Sequence, residues 1–356
     1  MAETNYFEQQ KQKNALRLRA LLSSLPPFAF EFFRGIEPTT SSKTRIGYAY
    51  DLRIFFEYIL DIHPTLKDKN MGELDIKDLE AITPDHIEMF LEYLSYYQKP
   101  HPQNPNKTIE YQNDERGKAR KLAALRKFYT YFYKKRKIKV NPSSLVEMPK
   151  IHEKNIIRLE INEVARLLDE IENGDKLTDA QKRYHQYTKS RDLALISVLL
   201  GTGIRVSECV GLNITDIDFD LNGLKITRKG GDEMVIYFGD EVEEALMDYL
   251  EERVKKQPNE GHEEALFLSL QNRRLTVRSV QNLVKKYSSL VTTLKKITPH
   301  KLRSTYGTNL YQETGDIYLV ADVLGHKDVN TTRKHYAQID DQRRRSAANA
   351  VKLRKI

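Results

Sequence analysis

Apolar positions recur three and four residues apart along most of the chain, and that spacing predicts helices. In the stretch TRIGYAYDLRIFFEYILD, Ile46, Tyr50, Ile54 or Phe55, and Tyr58 share one face. A second helix is expected in TPDHIEMFLEYLSYY, where Thr83-Pro84 is a start signal. A third runs through RGKARKLAALRKFYTYFYKKRKIKV, with Leu122, Leu125, Phe128, Tyr129 and Phe132 at helical spacing. Pro26-Pro27 breaks any helix in the first 35 residues, and the three prolines between 98 and 113 predict a loop there. Asn141-Pro142 ends the third helix, and VEMPKIHEKNIIRLE after it reads as an extended polar linker. Up to that point the pattern is all-helical.

Beyond the linker, INEVARLLDEIENG predicts another helix, and residues 173–190 are polar, a loop with room for a short helix of its own. RDLALISVLLGTG reads as a buried helix ending at a glycine-bearing turn. The one convincing β signal follows. DIDFD and LKITRK flank Asn222-Gly223, a two-residue hairpin turn, and MVIYF follows the turn Lys229-Gly230-Gly231. EVEEALMDYLEERVKK and TVRSVQNLVKKYSSL complete the helices before Thr298. The expected fold is therefore mainly α: a helical N-terminal domain, then a mixed α/β domain with a small three-stranded antiparallel sheet. No internal repeat is apparent.

With 356 residues, two domains are expected. A net charge of +8 favours an anionic partner, nucleic acid first and an anionic membrane surface second. The single cysteine, Cys209, sits in an apolar context and has no internal disulfide partner, which fits a reducing cytoplasm. No apolar leader opens the sequence, and its longest apolar run, residues 193–200, is too short for a bilayer, so a soluble cytoplasmic protein is expected. Charge is distributed unevenly. Between Arg116 and Lys139 there are eleven lysines or arginines and no acid. A solvated face is the ordinary explanation, yet a run so one-sided repels itself until an anion neutralises it. Lys118, Arg120, Lys121 and Arg126 are the candidate DNA contacts.

The densest chemistry lies between Thr298 and Tyr336. Thr298 can cap a helix and Pro299 suits its first position, so His300 and Arg303 share one helical face. Gly325 reads as a helix C′ residue with His326 just past it, and Asn330 can cap a last short helix carrying Tyr336. Phosphoryl transfer without a metal needs rigid cations on the phosphate oxygens, a nucleophile, and an acid for the leaving oxygen. Arg205 and Arg303 suit the first role, because a guanidinium is planar, always charged and bidentate. Tyr336 can attack phosphorus, Lys229 on its turn can protonate the leaving 5′-oxygen, and Glu208 can position Arg205. No metal or other cofactor is expected: ligand-spaced His/Cys clusters are absent, and GTGIRVSE lacks the Lys-Ser/Thr of a nucleotide loop. Taken singly each signal is weak. One tyrosine among 20 usually packs, a histidine at a helix start is commonplace, and Glu208 three after Arg205 makes an ordinary salt bridge.

The ordered set Arg205, Lys229, His300-x-x-Arg303, His326 and Tyr336 resembles the tyrosine recombinase (phage integrase) family, in its Xer branch. The stretches GTGIRVSECVGLNITDIDF, ITRKGGDEMVIYF, TPHKLRSTYGTNL and LGHKDVNTTRKHYAQI carry the likeness, and TRIGYAYDLRIFFEYI and ARKLAALRKFYTYF look like the family's helical, SAM-like core-binding domain. The resemblance implies a scissile phosphate held by Arg205 and Arg303, bonded by His300 and His326, with His300 also the base toward Tyr336. It implies a 3′-phosphotyrosyl intermediate, and tetramers working on two paired double-stranded DNA sites. For the Xer branch it also implies chromosome-dimer resolution at a dif-type inverted repeat, under control of the septal DNA translocase FtsK. The corresponding division is an N-terminal extension (1–35), core-binding domain (36–147), linker (148–157), catalytic domain (158–340) and a tail (341–356) exchanged between subunits. A mobile-element integrase, a type IB topoisomerase and a catalytically silent DNA-binding protein are the competing readings.

Overall fold

The computed structural model describes residues 6–152, 156–228, 231–326, 328–330 and 332. Its chain divides into two compact units, Met1–Glu153 and Lys154–Ile356.

The first unit contains helices α1 (Tyr6–Leu22), α2 (Ala29–Gly35), α3 (Ser42–Ile62), α4 (Pro84–Tyr93) and α5 (Glu115–Lys134), with a hairpin of β1 (Tyr97–His101) and β2 (Asn104–Tyr111) before α5. Helix starts follow local chemistry: the side chains of Ser41, Thr83 and Asp114 each accept a backbone N–H of the helix they open. From Tyr6 onward, the segment expected to be an extension packs into this unit. Leu18, Leu22, Leu25, Ala29, Phe32 and Phe33 join α3, α4 and α5 in one core. The prolines at 26 and 27 only separate α1 from α2, and Phe32 then meets Phe128 edge-on at 5.1 Å.

The loop expected between 98 and 113 is instead the β1–β2 hairpin, paired from Tyr97–Tyr111 to His101–Asn104 with an irregularity at Pro100/His101. In a sheet of two strands each strand has an open edge, where proline loses no ladder bond. Tyr93, Tyr97 and Tyr111 stack in succession at 4.9 and 5.1 Å, and Lys99 pairs with Glu57 of α3. Two of the three prolines, at 100 and 105, thus fall within strands, while Pro102 lies in the turn that joins them.

The second unit contains α6 (Ile161–Asn173), α7 (Asp179–His185), α8 (Lys189–Thr202), α9 (Val206–Cys209), strands β3 (Ile217–Asp218), β4 (Gly223–Thr227) and β5 (Glu233–Tyr237), then α10 (Asp240–Arg253), α11 (Val277–Val291), α12 (Pro299–Thr314) and α13 (Ile317–Leu324). Helix α8 packs against α6, α10 and α12, which explains why residues 194–199 are buried in succession. The sheet runs β3-β4-β5, antiparallel throughout, and Asn222 takes φ +48° in the turn between β3 and β4. The short α7 lies within the polar stretch, where His185 Nε2 lies 2.6 Å from Ile171 O. Among the described residues no helix is long and apolar enough to cross a membrane.

Candidate active site

Helix α8 ends at Gly203, a left-handed residue with φ +63° whose Cβ, if present, would collide with Tyr306. The chain then turns into α9 with Arg205 as its N-cap. Glu208, 3 % exposed in its side chain, accepts the backbone N–H of Arg205 at 2.7 Å and its Nη1 at 2.8 Å. A buried carboxylate therefore fixes where this guanidinium points, as expected for a bond to an ionised group. Arg205 Nη2 donates to Gly325 O at 3.1 Å.

Arg303 comes from the second turn of α12 and is buried. Its Nη1 donates to Gly203 O at 2.5 Å and its Nη2 to Leu324 O. The two arginines thus meet at the C-terminal end of α13, where the last carbonyls lack helical partners and the helix dipole attracts cations. A third guanidinium joins them. Arg228, at the end of β4, donates from Nη2 to Asp322 O at 3.2 Å and Val323 O at 2.9 Å. Burial pulls its pKa below the usual arginine value, opposed by Glu208 and reinforced by Arg205. Sequence reasoning passed over Arg228; its position directly before Lys229 was the available signal.

Gly325 closes α13 in the left-handed region, φ +61°, and His326 follows. The N–H of His326 donates to Ala321 O at 2.9 Å, and its Nδ1 is 2.7 Å from Thr332 Oγ1, a hydrogen bond that orients the ring. His300 is exposed on the first turn of α12, three residues before Arg303. The structure therefore brings Arg205, Glu208, Arg303 and His326 together, with His300 on the same helix as Arg303. Lys229 and Tyr336 lie outside the described residues, as does the tail 341–356. Gly325→Ala is expected to cost about 1–2 kcal/mol from the left-handed backbone alone, and also to unseat Arg228. Denaturant unfolding checks this, and an unchanged midpoint would contradict it.

The basic face of α5 needs correction. Lys121 is buried, 4 % exposed, because it continues the stripe of Leu125, Phe128 and Phe132, and its Nζ donates to Asn113 Oδ1 at 2.6 Å. Burial lowers its pKa. Arg126 is half-buried, with Nε on Ser143 O at 3.1 Å and Nη2 on Val146 O. Arg120 pairs with the buried Asp51, whose pKa burial raises against the pull of Arg120. Lys118 lines the same depression as Glu92, Glu115, Glu147 and Lys150. Three of the four candidates thus have structural partners. The exposed cations of the run include Arg116, Lys127, Lys134 and Lys139. Lys127→Ala is expected to lower the slope of log affinity against log salt by about 1 if it meets a phosphate, whereas Lys121→Met should leave the slope unchanged. A titration series in salt decides, and the reverse pattern would return Lys121 to the interface.

A buried carboxylate orienting one arginine, a second arginine bridging a glycine turn to a helix end, and a histidine beside both form a cradle for a phosphate-sized anion. The phage integrase family matches residues 158–343, the segment that holds this whole arrangement, and the chain belongs to that family. Its relatives are tyrosine recombinases of the Xer kind. The chain is 34 % identical over 349 residues to tyrosine recombinase XerC of Caldanaerobacter subterraneus subsp. tengcongensis, covering 95 % of this chain and 90 % of that protein. It is 28 % identical over 345 residues to tyrosine recombinase XerS of Streptococcus thermophilus, covering 92 % and 96 %. The fold is shared with XerH site-specific recombinase bound to palindromic difH substrate in a post-cleavage complex, at TM-score 0.60 and 22 % identity, over 86 % of this chain and 78 % of that one.

Proposed function

We propose that this chain is a site-specific recombinase that breaks and rejoins duplex DNA through Tyr336, without ATP or metal. The Tyr336 hydroxyl attacks the scissile phosphorus as His300 accepts its proton. The bond to the 5′-oxygen breaks, and Lys229 supplies the proton that oxygen needs. Arg205 and Arg303 hold the non-bridging oxygens as charge builds on them, and His326 adds a further bond. The covalent 3′-phosphotyrosyl link keeps the phosphodiester's energy, so a 5′-hydroxyl from another strand reverses the step. The convergence of Arg205, Arg303 and His326 on the end of α13 is the observation that carries this reading.

The finer assignment is resolution of chromosome dimers at a dif-type inverted repeat, in the cytoplasm, by a tetramer on two paired sites controlled by FtsK. Likeness to XerC and XerS along nine-tenths of the chain supports it, as does a shared fold with a recombinase bound to difH. Within it, residues 36–147 grip the core site, 158–340 perform catalysis, and 341–356 pass to the neighbouring subunit. The test is a nicked duplex carrying the inverted repeat nearest the gene, incubated with protein in chelator. A DNA–protein adduct that survives detergent is expected, and its absence would sink the reading. A plasmid with two direct copies should then resolve into two circles. Resolution failing while the adduct forms would discard the chromosomal role and retain the chemistry.

A further inference from the structure

Arg228 holds both ends of a small mechanical link. Its backbone closes the β4–β5 turn: the N–H donates to Asp232 O at 2.8 Å, and its carbonyl accepts from Gly231 N–H at 3.0 Å. Its side chain leaves the sheet altogether and lies on the end of α13, on Asp322 O and Val323 O. It fills the space that a side chain at Gly325 would need, since a Cβ there would stand 1.8 Å from Arg228 Nη1. The carbonyl of that same glycine accepts Arg205, and the next residue is His326. One guanidinium thereby touches the backbone that registers the phosphate cradle. The residue bonded to Arg228 on its C-terminal side is Lys229.

A lysine side chain has four rotatable bonds and a flexible reach, and a proton donor must be held to a fraction of an ångström to act in every turnover. We infer that Arg228 is the positioning residue for Lys229: it pins the β4–β5 turn to the C-terminal end of α13, so that the turn's lysine is registered against Arg205, Arg303 and His326. An arginine is required because one flat group must satisfy two successive carbonyls while lying against Gly325, which a lysine ammonium cannot do. The inference rests on the proposal that Lys229 is the acid.

A duplex with sulfur in place of the leaving 5′-oxygen separates the possibilities, because a thiolate departs without being protonated. Adduct formation is measured in single turnover on the ordinary and the sulfur-substituted duplex. Arg228→Ala should slow the ordinary reaction by about 10²-fold, at the low end for general acid catalysis, and react near the wild-type rate with the sulfur duplex. Arg228→Lys should show the same split with a smaller loss, and it carries the test if the alanine variant does not fold. Equal slowing of Arg228→Ala on both duplexes would overturn the inference, since a phosphate contact or a general loss of structure acts regardless of the leaving group. An unchanged ordinary rate would overturn it too. Lys229→Ala is run beside it. If sulfur rescues Lys229→Ala but not the Arg228 variants, Lys229 stands as the acid and only the inference falls; if Lys229→Ala is not rescued, the acid assignment falls and takes the inference with it.

Discussion

Tyr336→Phe is expected to abolish the covalent DNA adduct, lowering cleavage by roughly 10⁶-fold, the scale seen when an enzyme's nucleophile is removed. DNA affinity should not change, because phosphate contacts from lysine and arginine dominate binding and the substitution removes only a hydroxyl. Detergent gels of a nicked duplex read the first outcome and filter binding the second. An adduct formed by the Phe variant would mean that another tyrosine attacks. The described part of the catalytic unit argues against the nearest rivals. Tyr306 lies against Gly203, and burial raises its pKa above the ordinary phenol value, the reverse of what a nucleophile requires. Tyr249 and Tyr287 are fully buried, and burial raises their pKa values as well. An attacking tyrosine needs the opposite environment, close to cations that stabilise the phenolate. The end of α13 gathers three guanidiniums, and His326 beside it precedes Tyr336 by ten residues in the sequence.

The same helix end shows what a sequence discloses and what it withholds. Thr83-Pro84 acts locally, through the cap that Thr83 gives the N–H of His86, so it was readable from a few neighbouring residues. Asn222 is left-handed as expected, but the loop it ends runs over 219–222 because Asp218 pairs with Gly223, and α12 opens at Pro299 without a side-chain cap from Thr298. The arginines were also readable, because few side chains bind a phosphate bidentately and their order along the chain resembled a known set. What they grip was not. Arg303 reaches Gly203 and Leu324, 100 and 21 residues away, and only the packing of α12 on α8 and α13 makes those carbonyls neighbours. Lys121 shows the reverse error. Counting charges on α5 cannot reveal that one of them continues the apolar stripe and is satisfied by Asn113. The β1–β2 hairpin was hidden for a third reason: prolines argue against a central strand, and a two-stranded sheet has no central strand.

Arg303→Ala should then have two effects of different origin. As a phosphate ligand its loss is expected to cost about 10²–10³-fold in cleavage, as for deletion of one preorganised oxyanion donor. As a structural group its loss leaves Gly203 O and Leu324 O without the donors that join the α8 turn to the end of α13. Bonds to a charged donor contribute about 1.5–3 kcal/mol each, so denaturant unfolding should show a loss of several kcal/mol. Arg303→Lys separates the two. An ammonium keeps the charge but cannot span both carbonyls, so stability should recover only in part while cleavage stays low. Arg205 provides the contrast. Its side chain is 34 % exposed and its strongest partner is Glu208, so Arg205→Ala strands a buried carboxylate rather than two carbonyls. Adding Glu208→Gln to that variant should restore stability without restoring cleavage, whereas the same change added to Arg303→Ala should restore neither. If Arg303→Ala proves as stable as wild type, the carbonyl bonds contribute little and α13 is held by its apolar contacts through Tyr311, Val320 and Leu324 instead.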